Sequence, residues 1–155
     1  MSQLITLNNV DSDAVDSFST LVTDNATLDG VTTLGAATEI TSLPTFVEGV
    51  DHVTHDISQS SVFSHSALIA DFTANFTNVP TTNDRTVSAA LIISQGATGY
   101  LPTAMQIAGT TQTILWQGAV VPVPSINATD VVSFTLLRFG GAWTVLASLI
   151  KFGSV

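Results

Sequence analysis

The sequence predicts an all-β protein, an antiparallel β-sandwich or barrel of jelly-roll-like kind, preceded by an irregular arm with room for one short helix. Three observations point there. From Ser66 onward, apolar and polar residues alternate with a period of two in successive segments. Gly, Pro and Asn clusters separate these segments at short, regular spacing. Charged residues are 10% of the chain, less than half the usual share, so other protein is expected to cover part of the surface.

The elements follow in order. Leu68, Ala70, Phe72, Ala74 and Phe76 share one face of a first strand, and "NVPTTND" at 78–84 turns the chain. Arg85 to Gln95 alternates Val87, Ala89, Leu91 and Ile93 against polar and small residues, and the two segments are expected to pair antiparallel. After "GATGY" and Pro102, four more strands are expected at Thr103 to Ile107, Thr111 to Gln117, Asp130 to Phe139 and Ala142 to Lys151. Gly140-Gly141 between the last two signals a tight hairpin, because such turns need positive φ and glycine has no Cβ to clash. Upstream, Gln3 to Val10 suits a strand. Asp13 to Thr23 suits a helix with Ser12 as cap and Val15, Phe18, Leu21 and Val22 on one face. Residues 1–60 thus read as an acidic arm or accessory layer, and 61–155 as the β-domain.

Charge divides the chain in the same sense. Residues 1–71 carry ten carboxylates and no Lys or Arg, whereas residues 72–155 are nearly neutral, within a net charge of −9. Affinity for nucleic acid rests on cations neutralising phosphates, so nucleic acid is excluded as a partner. Apolar runs are broken by Ser, Thr and Gly well short of a membrane span, and membrane partnership is not expected. The first residues lack a basic segment followed by an apolar one, so no secretory signal is read. With no cysteine there are neither disulfides nor thiolate ligands.

Chemistry-bearing clusters are sparse. "DSDAVDS" places Asp11, Asp13 and Asp16 close together, but a helix-loop-helix calcium loop would need Gly and Glu where Asp16 and Val22 stand. Acidic residues at a helix start, favoured by the helix dipole, explain the cluster. "DHVTHD" offers His52 and His55, which a strand would point to opposite sides, and His65 is the third imidazole. Whether these three bind a metal at a symmetry axis stays open in the sequence; no metal, cofactor or catalytic residue is assigned. Ser64, His65 and Asp71 have the residue types of a triad without the strand-turn-helix elbow, and the β-domain holds too few carboxylates for glycan cleavage. No enzyme activity is expected. Trp116 and Trp143 sit in apolar strands and read as core; Tyr100, in a Gly-rich turn, is the better candidate for an exposed contact.

"NFTNVPTT" at 75–82, "IISQGATGYLPTAMQI" at 92–107, "ILWQG" at 114–118 and "TDVVSFTLLR" with "AWTVL" at 129–146 resemble a β-domain of virion structural proteins in tailed bacteriophages, especially those of cyanobacteria and marine bacteria. There the domain is a C-terminal module of fibre-like and capsid-decorating proteins. The resemblance covers more than half of the chain and brings no active site. It departs at "GAVVPVPS", 118–125, where a more polar loop is expected and where the apolar residues would suit contact with a neighbouring subunit. The resemblance implies a capsid cement or decoration protein on the virion exterior that binds the major capsid protein, closes as a homotrimer and stabilises the head. The alternative is a short head or tail fibre binding a host-surface glycan. Attachment to the shell is expected through Leu4, Ile5, Leu7, Asp11, Asp13, Val15, Asp16, Phe18 and Leu21.

Overall fold

The computed structural model describes residues 41–44 and 52–153, all within one compact unit, Thr38–Val155. The strand and helix expected over 3–23, and every attachment residue from Leu4 to Leu21, lie outside the described residues.

Among the described residues ten strands follow one another: β1 (Thr41–Ser42), β2 (His52–Asp56), β3 (Val62–Ser66), β4 (Phe72–Thr77), β5 (Arg85–Ser94), β6 (Pro102–Ile107), β7 (Thr110–Gln112), β8 (Ile114–Trp116), β9 (Thr129–Phe139) and β10 (Ala142–Phe152). They form a six-stranded sheet, in the order β1-β3-β5-β9-β10-β8, and a four-stranded sheet, β2-β4-β6-β7. The sheets pack together as an all-β sandwich.

The sandwich is mixed rather than antiparallel. From β1 to β6 each strand lies in the sheet opposite to its predecessor, so successive visits to one sheet run the same way. Hence β1, β3 and β5 are parallel, as are β2, β4 and β6, and the pairs β5-β9, β9-β10 and β6-β7 alone among those described are antiparallel with β8 parallel to β10. The expected antiparallel pairing of the segments around Phe72 and Leu91 therefore does not form. "NVPTTND" carries the chain across the sandwich instead of turning a hairpin, and a crossing of that kind is what parallel neighbours require.

Two strands, β1 and β2, precede residue 61, where composition placed the start of the β-domain. Only Val53 and His55 of β2 are buried, too short a signal to stand out in a Thr- and Gly-rich stretch. The strand expected from Ser66 begins at Phe72. Ala67, at φ 55°, bends the chain out of β3, and residues 67–71 form the crossing.

Alternation inside the strands fills the core. Phe63, Leu91, Ile93, Val132, Phe134 and Leu136 project from the larger sheet, and Val53, Ala74, Phe76, Met105 and Ile107 from the smaller. Phe76 and Phe134 meet across the sheets edge to face at 5.4 Å. Trp143, expected in the core, is half-buried and packs at its margin. The hairpin at Gly140 (φ 55°) and Gly141 (φ 83°) forms as expected, with β9 and β10 in unbroken register from Thr129↔Phe152 to Phe139↔Ala142.

A buried polar knot ties the long loops to this core. Asp130, fully buried on β9, accepts from Gln95 Nε2 (3.0 Å) and from the Ser125 amide (2.8 Å). Gln95 in turn donates to the Tyr100 carbonyl and accepts from the Tyr100 amide, and the Leu101 amide donates to Asp71. Gly99 closes the knot by proximity: a Cβ there would lie 2.1 Å from the Ser125 carbonyl oxygen.

Replacing Asp130 with Ala strands the Ser125 amide and the Gln95 side chain in a dry site and is expected to cost about 2–4 kcal/mol, as read by denaturant unfolding. Asp130→Asn, which keeps an acceptor, should recover at least half of that loss. Equal losses for both variants would refute the role given to the acceptor.

Candidate functional site

The imidazoles are the first groups to test. β2 presents His52 to the outside and His55 to the core, as a strand must. β3 brings His65 in from the other sheet, and the two Nε2 atoms meet at 2.9 Å, so one ring donates to the other. Phe63, Phe72 and Phe76 surround His55 at 4.9–6.4 Å. Desolvation, and then the neighbouring His65, hold His55 down to about 3, against the opposing pull of the Val53 and Asn75 carbonyls. Neither carbonyl satisfies its Nδ1, which is buried without a hydrogen-bond partner. Desolvation lowers His65 to about 4. Two neutral rings locked into an aromatic core cannot reach a surface symmetry axis, and among the described residues no three His, Asp or Glu side chains converge. The pair is a packing element with a titration attached.

The triad residue types are likewise separated. His65 points inward to His55, Asp71 accepts from the Leu101 amide, and Ser64 lies on the opposite face of β3 from His65. Tyr100 is half-buried, its backbone held by Gln95, and Trp116 packs 6.4 Å from Phe134.

Two surfaces stand out. The first is the outer face of the six-stranded sheet. Arg85, Asp130, Arg138 and Lys151, the charged residues of its strands, all have the parity of the core-facing set, so every outward position is uncharged. Leu146 (44% exposed), Ile150 (50%) and Phe152 (55%) stand on this face, and Leu115 joins them from β8. Sequence reading missed it because alternation marks which residues go in, while the character of those left out shows only once the strands are placed side by side. The second surface is the loop after β8, where Val120 (68%), Val121, Val123 (72%) and Ile126 are exposed. Val120 and Val123 share a groove with Ser148 and Lys151, which makes loop and sheet face continuous.

Charge gathers at the hairpin end. Arg85 and Arg138 are direct cross-strand partners, Trp143 is the next in the same row, and the Arg138 guanidinium lies 5.1 Å from the Trp143 ring centroid. Arg138 Nε is buried with no partner. Two like charges opposite each other disfavour the pair, and a carboxylate of a ligand would relieve them.

No family model, no curated protein and no solved structure matches the chain.

The histidine pair makes stability depend on pH. Unfolded imidazoles take up protons near pH 6.5, while the folded ones resist until about 4 and about 3. Between those limits the unfolded state binds more protons, so stability falls as pH drops from 6.5 and levels off below about 3. Each tenfold weakening of proton affinity is worth about 1.4 kcal/mol, so the two rings together lose on the order of several kcal/mol. Thermal melts from pH 7 to 4 should show it, and the double variant His55→Leu with His65→Leu should melt with a distinctly smaller pH dependence. An unchanged slope would exclude the pair as its cause.

Proposed function

We propose that this chain is a structural protein of a tailed-bacteriophage virion, a decoration or cement protein that binds the outside of the assembled head and stabilises it. One observation carries the reading: a sheet face spanning the whole larger sheet without one charge, continuous with an exposed apolar loop, in a chain of net charge −9. Large apolar side chains exposed together, as Leu115, Leu146, Ile150 and Phe152 are on this uncharged face, are the kind of surface that protein contacts cover. The described groups with catalytic chemistry are meanwhile spent on packing and loop closure. The resemblance of residues 75–146 to phage β-domains supports the same setting.

In this reading the major capsid protein is the partner, and the acidic residues 1–71 face away from packaged DNA. Leu4, Ile5, Leu7, Val15, Phe18 and Leu21 supply apolar contacts to the shell, and Asp11, Asp13 and Asp16 meet its Lys or Arg. A protein that binds only the assembled shell stabilises it by mass action. A short head or tail fibre binding an anionic host glycan is the second reading, and the row of Arg85, Arg138 and Trp143 favours it.

Mixing the purified chain with undecorated phage heads and imaging the particles tests the proposal. Density at every capsomer junction is the expected result; density at a single vertex would favour the fibre. Asp11→Asn, Asp13→Asn and Asp16→Asn together should weaken binding about tenfold at low salt and flatten its salt dependence, because exposed ion pairs are screened. Heads that stay bare at micromolar protein would overturn the proposal.

A further inference from the structure

His55 and His65 join the two sheets at one margin of the sandwich. Among the described strands, β2, which carries His55, is the edge of the smaller sheet and pairs with β4 alone, and β3, which carries His65, pairs with β5 and with the two residues of β1. All three ladders are parallel, the weaker kind per residue. The margin also buries little. Among the described residues, only Val53 and Phe63 of the apolar core lie ahead of Phe72; the rest of it comes from residues 72–147, where Phe76 meets Phe134 without help from the margin.

We propose that this imidazole pair is a latch opened by acid: when both rings are protonated, β1, β2 and β3 come away from the sandwich as one unit while β4 to β10 stay folded. The contact itself requires it. The two Nε2 atoms face each other at 2.9 Å, so in the closed form one carries a hydrogen and the other is bare. Two imidazolium rings carry a hydrogen on every nitrogen, and two N–H groups cannot face each other at that distance. Phe63, Phe72 and Phe76 around His55, and Phe72 beside His65, offer no acceptor instead, and His55 Nδ1 already lacks a partner. Because the rings belong to different sheets, parting them takes a strand off its sheet, and β2 and β3 have the least burial to lose. The turn between them, where the Gln59 and Ser60 amides both donate to the Asp56 carbonyl, makes the two strands move together. The latch goes beyond the decoration reading and does not depend on it.

No carboxylate among the described residues rescues the charged pair. On β2, His52 faces outward and Asp56 is engaged at the surface by Ser58 and Asn78. In the crossing after β3, Asp71 accepts from the Leu101 amide. β4 and β6 carry no charged side chain, and the one on β5, Arg85, is at the far end of that strand. From β9, Asp130 stands in the row of His65 with Ile93 between them, about 10 Å away by strand spacing; it is held by Gln95 and the Ser125 amide, and Lys151 follows it in the row. It raises the pKa of neither ring. Burial instead keeps both neutral in the closed form, down to about 3 for His55 and about 4 for His65, whereas exposed rings protonate near 6.5. Opening between those limits therefore takes up two protons and is favoured as pH falls.

Hydrogen exchange of the full-length chain, corrected for the intrinsic rate at each pH, tests the latch from about pH 7 to about pH 5, where carboxylates stay largely ionised. Two protons taken up per opening raise the opening constant about five-hundredfold over that range. Protection in β2 and β3 should fall by that factor, from a starting value already below that of β9 and β10, so that at about pH 4.5 the first two strands have exchanged while the last two are still protected. In the double variant His55→Leu with His65→Leu the fall should shrink to less than about tenfold. Equal protection of all four strands at every pH, which is global unfolding, would overturn the inference. So would a wild-type fall of less than about tenfold, or an undiminished fall in a double variant that keeps β-type circular dichroism. If the variant does not fold, the comparison of strands in the wild type decides alone.

Discussion

The fold depends on the buried carboxylate of Asp130. A chain that changes sheet at every strand from β1 to β6 must lead its crossings around the ends of the sandwich, where backbone groups are least able to find ladder partners. Asp130 and Gln95 solve this at one end. They take the amides and carbonyls of the loops 95–101 and 125–130 as their partners, and the Gly96 carbonyl and Asn127 amide add a direct bond of 2.7 Å. The absent Cβ of Gly99 lets these loops touch. With both held, β6 is delivered to the smaller sheet and β9 to the larger, and the apolar loop after β8 is fixed against the sandwich instead of swinging free.

What the interior absorbs determines what the exterior can be. The four charged residues of β5, β9 and β10 are all on the core-facing parity: Asp130 accepts from the loops through Oδ2 while its Oδ1 is buried without a partner, Arg138 lies over Trp143, and Arg85 and Lys151 are at strand ends where the side chain can reach water. The outer face is left with Ser, Thr, Ala, branched aliphatic residues and, at the strand ends, Phe139 and Phe152. Such side chains bury well against another sheet and lose little when they do, since the hydroxyls are small and the aliphatic rotamers already restricted.

The legible part of this molecule was its period-two alternation, and the illegible part its connectivity. Phe72, Phe76, Leu91, Ile93 and Phe134 are buried as their spacing requires, and β5, β6, β9 and β10 stand within one or two residues of the expected segments. Alternation records only which side of a strand is dry. It is the same for a strand paired with its sequence neighbour and for one that crosses to the other sheet, so "NVPTTND" is as consistent with a hairpin as with the crossing it makes. The β2 and β3 strands carry little signal because each buries only two side chains, one of them a histidine. That pairing of His55 with His65 across the sheets could not be read from two rings ten residues apart, since it follows from the alternation of sheets itself.

An uncharged, strand-rich surface invites uncontrolled association, and the arrangement of the edges limits it. A long exposed edge would add strands of other copies indefinitely. Here the larger sheet ends in β1, two residues, and β8, three residues, while the smaller ends in β7, three residues, and β2, five. Of the long strands, β9 is paired along both sides, while β3 covers Ala90–Ser94 of β5 and β8 covers Val145–Ala147 of β10. Edge-on growth is thus restricted to short or partly covered margins, and the uncharged surface that remains is a face, which can be covered once and is then gone. Because the described strands place no charged side chain on that face, shape rather than charge would select whatever covers it.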